Sequence, residues 1–364
     1  MNVKIIAFYL PQYHPTPHND LWWGKGFTEW TNVAKAKKLY PGHYQPKVPA
    51  DLGFYDLRMP DIREQQADLA KEAGIYGFCY YHYWFSDGHE ELATPFKEVV
   101  ATKKPDFPFC LCWANESWYS KFWNKDGTAD KKLLAEQKYL GEADNERHFY
   151  SLLDAFKDPR YIKVDGRILF LIYQPLTFKD FTSFKEQWNS LAIQNGLPEF
   201  FFVGQVLNTW QIDDVIKLGF DAVNHCHRLD NYYRNNKETA WIGRTINFIK
   251  KFVKFPYIIS YKKAISKAVF SEDYKNNVFP TMMPNWDHTP RSGVGGTVLQ
   301  NATPELFEKH ALDVLKTTIN KNPECKVVFL KSWNEWGEGN YMEPDLKFGK
   351  GFIYALRKAL NKIK

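Results

Sequence analysis

Eight short apolar runs recur along this chain, with helix-like stretches between them. They are VKIIAFYL (3–10), YGFCYYHYW (76–84), FPFCLCWAN (107–115), RILFLIYQ (167–174), FFFVGQV (200–206), DAVNHC (221–226), FPTMMPNW (279–286) and KVVFLKSWN (326–334). Continuous rather than alternating apolarity marks strands covered on both faces, as in a parallel sheet. The segments between them, such as MPDIREQQADLAKEAG (59–74) and TPELFEKHALDVLKTTIN (303–320), repeat their apolar residues at helical spacing. Thr303 is placed as a cap, with Pro304 and Glu305 in the first turn. Eight such repeats predict an α/β chain folded as a single (β/α)8 TIM-type barrel over 1–364. A doubly wound open sheet is the alternative; its first turn is usually glycine-rich, and FYLPQYHP is not.

Two segments interrupt the repeat. Residues 11–58 lengthen the first βα loop and contain WWGKGFTEWTNV. Residues 227–278 form a basic, partly helical insertion between strands 6 and 7, with eleven Lys or Arg against four Asp or Glu. The whole chain carries +6, so the rest of it is close to neutral and the basic character belongs to this segment. Its WIGRTINFIKKFVKFPYIISYKK interleaves apolar and cationic residues. That predicts either a subdomain packed on the barrel or peripheral contact of 240–265 with an anionic membrane or glycan. Cations on one side of a helix read nucleic acid grooves poorly, and no nucleic acid partner is expected.

No apolar run approaches the ~20 residues that span a bilayer. The five cysteines show no CxxC pairing, and MNVKIIAFYLPQYHP lacks the pattern of a secretory signal. A cytoplasmic location is expected, at most peripheral at the inner membrane surface.

In a barrel all C-terminal strand ends meet on one face, where active sites form. Here those ends are rich in polar and aromatic residues, and aromatics reach 17% of the chain, more than a core alone requires. The candidates for substrate contact are Tyr9 after the first run, Tyr81 and His82 after the second, and Trp113, Asn115 and Glu116 after the third. Trp286, Asp287 and Arg291 follow the seventh, and Trp23, Glu29 and Trp30 lie in the long first loop. Neighbours on a strand face opposite ways, so not all of YYHYW can bind. The plainer readings are a helix cap for Asn115, a loop-orienting ion pair for Asp287 and Arg291, and a self-packed aromatic loop. HCH (225–227) has the alternation of a two-histidine metal site but no third ligand at a diagnostic spacing. Neither metal nor cofactor is expected.

The eighth end is SWNEWGEGNYMEPD (332–345). Breaking a glycosidic bond needs one carboxyl to donate a proton and a second, ionised one to act as base or nucleophile. Glu335 and Glu338 are close enough in sequence to push their proton affinities apart. Three residues of extended chain span at most ~10 Å, which admits both retaining and inverting separations. Trp333 and Trp336 offer flat apolar faces to a sugar, and Asn334 and Glu343 offer hydrogen bonds. The plain alternative is that the glutamates open the following helix, where its dipole favours acids.

FYLPQYHP, NDLWWGKGFTEWTNV, ADLGFYDLR, GIYGFCYYHYWF, FPFCLCWANESW, WDHTPR and SWNEWGEGNYMEPD occur in order from the first strand to the last helix. Together they resemble the WbsX family of polysaccharide-assembly proteins, often labelled glycosyltransferases. Asn334, Glu335, Trp336, Glu338 and Gly339 also resemble the N-E-W-x-E-G core of glycoside hydrolase family 99, whose members are (β/α)8 barrels and endo-α-mannosidases or endo-mannanases. That resemblance implies Glu335 as a base that deprotonates the sugar's own 2-hydroxyl and Glu338 as general acid. It further implies a 1,2-anhydro intermediate, net retention and endo action on a polysaccharide or lipopolysaccharide-type glycan. Glu343 and Pro344 fit the WbsX pattern. His18 stands where an acid is expected, and His288 replaces the usual Asn of WDNTPR.

Three functions follow from these readings. The first is a paired-glutamate glycoside hydrolase. The second is a glycosyltransferase or transglycosylase of cell-surface polysaccharide synthesis, although the chain has neither an Asp-x-Asp nor a G-x-G-x-x-G. The third is a non-catalytic glycan-binding protein, which would need the aromatic face but not both glutamates.

Overall fold

The computed structural model describes residues 3–123, 129–226, 245 and 255–363. Eight parallel strands form one closed ring: β1 (Lys4–Tyr9), β2 (Gly77–Ser86), β3 (Phe109–Trp113), β4 (Arg167–Ile172), β5 (Phe200–Val206), β6 (Ala222–His225), β7 (Val278–Met282) and β8 (Val327–Leu330). Neighbours in sequence are neighbours in the ring, and β1 pairs with both β2 and β8. This is the (β/α)8 barrel. The strands begin and end within a few residues of the apolar runs, but β3, β4, β7 and β8 stop two to four residues short of them. The polar residues at those ends leave the ladder and take side-chain partners.

Helices cover the ring from outside. Pro60–Ala73 starts on a proline and closes on Gly74, whose φ of 87° lets its N–H reach the carbonyl of Ala70. Pro304–Lys316 is capped as expected, with Thr303 Oγ1 accepting from the Leu306 N–H at 3.4 Å.

The first loop folds back over the mouth of the ring through two short helices, Pro17–Trp23 and Glu29–Lys35. Trp30 fixes it there, donating to the Tyr55 carbonyl at 2.7 Å and packing on Trp336 at 5.6 Å. In the basic insertion, Tyr257–Ser260 pairs in parallel with Thr297–Gln300. Tyr261 donates to the Met283 carbonyl at 2.7 Å, within a small apolar cluster that includes Trp286. This part packs on the barrel. Residues 227–244 and 246–254, and with them most of the segment expected to contact a membrane, lie outside the described residues. Among the described residues no helix is long and apolar enough to cross a membrane.

Candidate active site

Past β8 the chain does not enter a helix; the next one starts at Gly351. Instead Asn334–Glu335 pairs antiparallel with Asn340–Tyr341 across a single 3-10 turn, Trp336–Glu338. The Asn334 amide imitates a strand partner, accepting from Leu10 N–H at 2.8 Å and donating to the Leu10 carbonyl at 3.0 Å. The Tyr13 hydroxyl donates to the Asn334 carbonyl and accepts from Trp336 N–H. The Glu338 carbonyl accepts from Asp287 N–H at 2.7 Å. The ribbon is thus tied to the loops after β1 and β7, which fixes the direction of both glutamates.

Both glycines of WGEG are required by this packing. A Cβ at Gly337 would sit 1.5 Å from Glu29 Oε1, because the Glu29 carboxylate seats directly on the backbone there. Gly339 has a φ of 56°, and a Cβ would meet Asp287 Cβ at 2.7 Å.

Glu335 and Glu338 face the same cavity, and two cations serve them. Arg291 Nη1 is 2.6 Å from Glu338 Oε1 and 4.0 Å from Glu335 Oε1, while its Nε donates to Glu29 at 2.9 Å. Lys331 Nζ approaches Glu335 Oε2 from the other side, at 4.0 Å. Burial and the neighbouring Glu338 charge push the Glu335 carboxyl up to about 7, against the pull of Lys331 and Arg291. Burial disfavours the Lys331 ammonium, but Glu335, Tyr173 and Glu338 outweigh it and hold the amine well above the usual lysine range. Burial, and after it the Glu335 charge, raises the hydroxyls of Tyr81 and Tyr83, so both remain neutral donors.

The carboxylate pair lies at the waist of a groove. The waist is a cavity of about 200 Å³ lined by Gln12, Tyr81, Tyr83, Glu116, Trp118 and Tyr173 together with the charged groups. It opens past Glu116, Lys331 and Glu338 into a lobe of about 580 Å³ with Trp286, His288 and Gln205 on its walls. On the other side, past Gln12, Glu116 and Arg291, a lobe of about 500 Å³ carries Trp23, Trp118 and Tyr119.

Of the residues expected from sequence, the groove therefore gathers Glu335, Glu338, Arg291, Glu116, Tyr81, Trp286 and Trp23. The others lie elsewhere. Tyr9, His82 and Trp113 have the outward parity of their strands. Tyr9 donates to Gln66 at 2.7 Å, His82 Nε2 is 2.8 Å from His148 Nε2, and Trp113 donates to the Trp84 carbonyl at 2.8 Å. Asn115 is neither cap nor lining residue; it ties the ends of β3 and β4, donating to the Gln174 carbonyl and accepting from its N–H at 2.7 Å.

Trp30, Trp333 and Trp336 are buried, the last stacked on Tyr341 at 3.7 Å, so none offers a face to a sugar. Asn334 and Glu29 work beneath the surface as described. Glu343 accepts from Trp336 Nε1 at 2.6 Å, Gln66 at 2.6 Å and Tyr55 at 2.9 Å, and burial pushes its carboxyl up to about 7. It props the tryptophan under the glutamates. Asp287 accepts from Gln45 at 2.8 Å and Thr289 at 2.6 Å, with His43 Nε2 at 2.8 Å, and turns away from the groove. His225 of the HCH stretch pairs with Asp273 at 2.7 Å; His227 lies outside the described residues.

Lys331, Tyr83, Trp118, Tyr173 and Gln205 escaped the sequence reading. Lys331 left a signal: a lone cation directly behind a buried strand is costly unless acids meet it, and Glu335 follows four residues later.

The family model described as Glycosyltransferase WbsX matches residues 5–356. WxcX of Xanthomonas campestris pv. campestris is 32% identical over 98% of the chain, which spans about 50% of that relative's length. Among solved structures, the family 99 endo-α-mannosidase of Bacteroides thetaiotaomicron aligns over 100% of this chain and 98% of its own, with a TM-score of 0.61 and 12% identity. A glycoside hydrolase-like protein aligns over 98% and 94% with a TM-score of 0.57 and 15% identity. At these identities the likeness is one of fold.

Proposed function

We propose, for a chain that belongs to the WbsX glycosyltransferase family and has the fold of a glycoside hydrolase, that it cleaves glycosidic bonds within a polysaccharide. The observation that carries this reading is the convergence of Glu335 and Glu338 on one cavity, between Arg291 and Lys331 and at the waist of a groove. A groove open on both sides of the reacting pair suits a chain cut internally rather than from its end. Trp23, exposed in one lobe, supplies a flat face.

In the proposed reaction Glu335 takes the proton of the sugar 2-hydroxyl while O2 closes on C1. Glu338 protonates the departing oxygen as the C1–O bond breaks. Water, giving its proton to Glu338, then opens the 1,2-anhydro ring at C1, and Glu335 returns its proton to O2. The anomeric configuration is retained. The same steps with a sugar hydroxyl in place of water constitute transfer, and the glycosyltransferase description of the family favours keeping that second reading.

The proton on Glu335 provides the test. Beside an ionised Glu338 that carboxyl holds the pair's one proton up to about pH 7, and the reaction needs that proton on the pair. The kcat/KM for glycan cleavage should therefore fall about tenfold per pH unit above 7. A profile that instead rises to 7 and stays level above it would contradict a single proton shared by the two glutamates.

A further inference from the structure

His18, which departs from the family motif, finds its partners outside the groove. It sits in the short helix Pro17–Trp23 of the first loop. His89 and Glu91 lie two apart on the ribbon His89–Glu91 that folds back on the end of β2, so their side chains share a face. One ring nitrogen of His18, one of His89 and a carboxylate oxygen of Glu91 all lie within 4.8 Å of one another. Both imidazoles converge on the same oxygen, with His89 Nε2 at 2.7 Å from it. Among the described residues no other three His, Cys, Asp or Glu side chains converge in this way.

The surroundings suit an ion better than a chance contact. The Glu91 side chain is only 4% exposed, whereas those of His18 and His89 are 49% and 40% exposed. The anionic ligand is therefore anchored, and the outer side stays open to water. The rings are held from behind, His18 stacked on Trp22 at 5.3 Å and His89 against Phe85 at 5.4 Å. An ion at about 2.0–2.2 Å from two imidazole nitrogens and one carboxylate oxygen is ordinary zinc coordination, with water completing the shell. Imidazole with carboxylate suits first-row divalent metals generally, and not the all-oxygen preference of calcium or magnesium.

We infer that His18, His89 and Glu91 bind one divalent transition metal ion, zinc in class, and that the ion staples the first loop to the β2 ribbon. The residues next to it reach the groove. Trp22 meets Trp118 edge to face at 5.9 Å, Phe85 meets it at 5.3 Å, and Trp118 lines the waist. The ion lies outside the groove, where it fixes an aromatic wall and takes no part in proton transfer at Glu335 and Glu338. Binding does not depend on the glycosidase reading.

The experiment uses the full chain freed of metal with a chelator. It is titrated with Zn2+ against a chromogenic chelator, and separately with Co2+, whose visible spectrum reports nitrogen and oxygen ligation. One equivalent should bind, with Co2+ absorbing in the visible, and melting should rise by roughly 3–5 °C at a hundredfold excess over Kd. His18→Ala and His89→Ala, both at half-exposed positions, should each weaken binding by more than about 100-fold, beyond the loss of a merely supporting residue. Substoichiometric binding by the wild type, or wild-type affinity in both variants, overturns the site and leaves a hydrogen-bonded clamp.

Discussion

Glu335→Gln is expected to lower turnover at least about 10³-fold and yet to melt at a higher temperature than the wild type above pH 7. The two effects share one cause. Burial and the Glu338 charge raise the Glu335 carboxyl from 4.5 in the unfolded chain to about 7 in the folded one. Between those values the folded state holds more protons than the unfolded state, so stability falls as pH rises from 4.5 to 7 and stays at its lower value above. The cost at pH 8 is on the order of 3 kcal/mol. Glutamine removes that cost without changing the shape of the side chain. The gain in melting temperature should therefore be largest at pH 8 and vanish towards pH 4. A variant that is less stable than wild type at pH 8 would show that Lys331 and Arg291 depend on the charge more than the charge is penalised by burial.

Arg291→Met acts in the opposite direction. It withdraws the guanidinium that bonds Glu29 at 2.9 Å and Glu338 at 2.6 Å, and Glu29 is only 1% exposed beneath Gly337. Removing one partner of a buried pair leaves an uncompensated charge, which typically costs about 3–5 kcal/mol. Chemical denaturation at pH 7.5 should show a loss of that size. The double variant Arg291→Met with Glu29→Gln should recover part of it, since the most deeply buried of the carboxylates is then neutral while Glu338 and Glu335 still face the gap. A loss below about 1 kcal/mol, or no recovery in the double variant, contradicts the view that this arginine neutralises the site.

The barrel was legible because a strand covered on both faces has to be apolar throughout, and eight such runs with helices between them leave few architectures. The shared cavity of Glu335 and Glu338 was legible because two acids beside a strand end are costly without a task. What the residues do not carry is the phase of each strand. In YYHYW all five side chains have chemistry suited to sugars, and only the register of β2 in the ring turns Tyr81 and Tyr83 inward and His82 outward. The same ambiguity hid Tyr173 and placed Trp113 on the wrong side.

Depth was a second source of error. Trp333, Trp336 and Glu343 belong to the layer that holds the glutamates up, and a tryptophan that supports a site reads in sequence like one that lines it. Asp287 failed for a third reason: its partners His43, Gln45 and Thr289 include two from a loop some 240 residues away, which no local pattern announces.

The most direct measurement takes the surface polysaccharide of the source cell, supplies no nucleotide sugar, and follows its chain length over time with wild type and Glu338→Gln. Steady shortening by internal cuts is expected with the wild type and none with the variant. Unchanged chains that grow only once a sugar nucleotide is added, or equal shortening by the variant, would contradict that expectation.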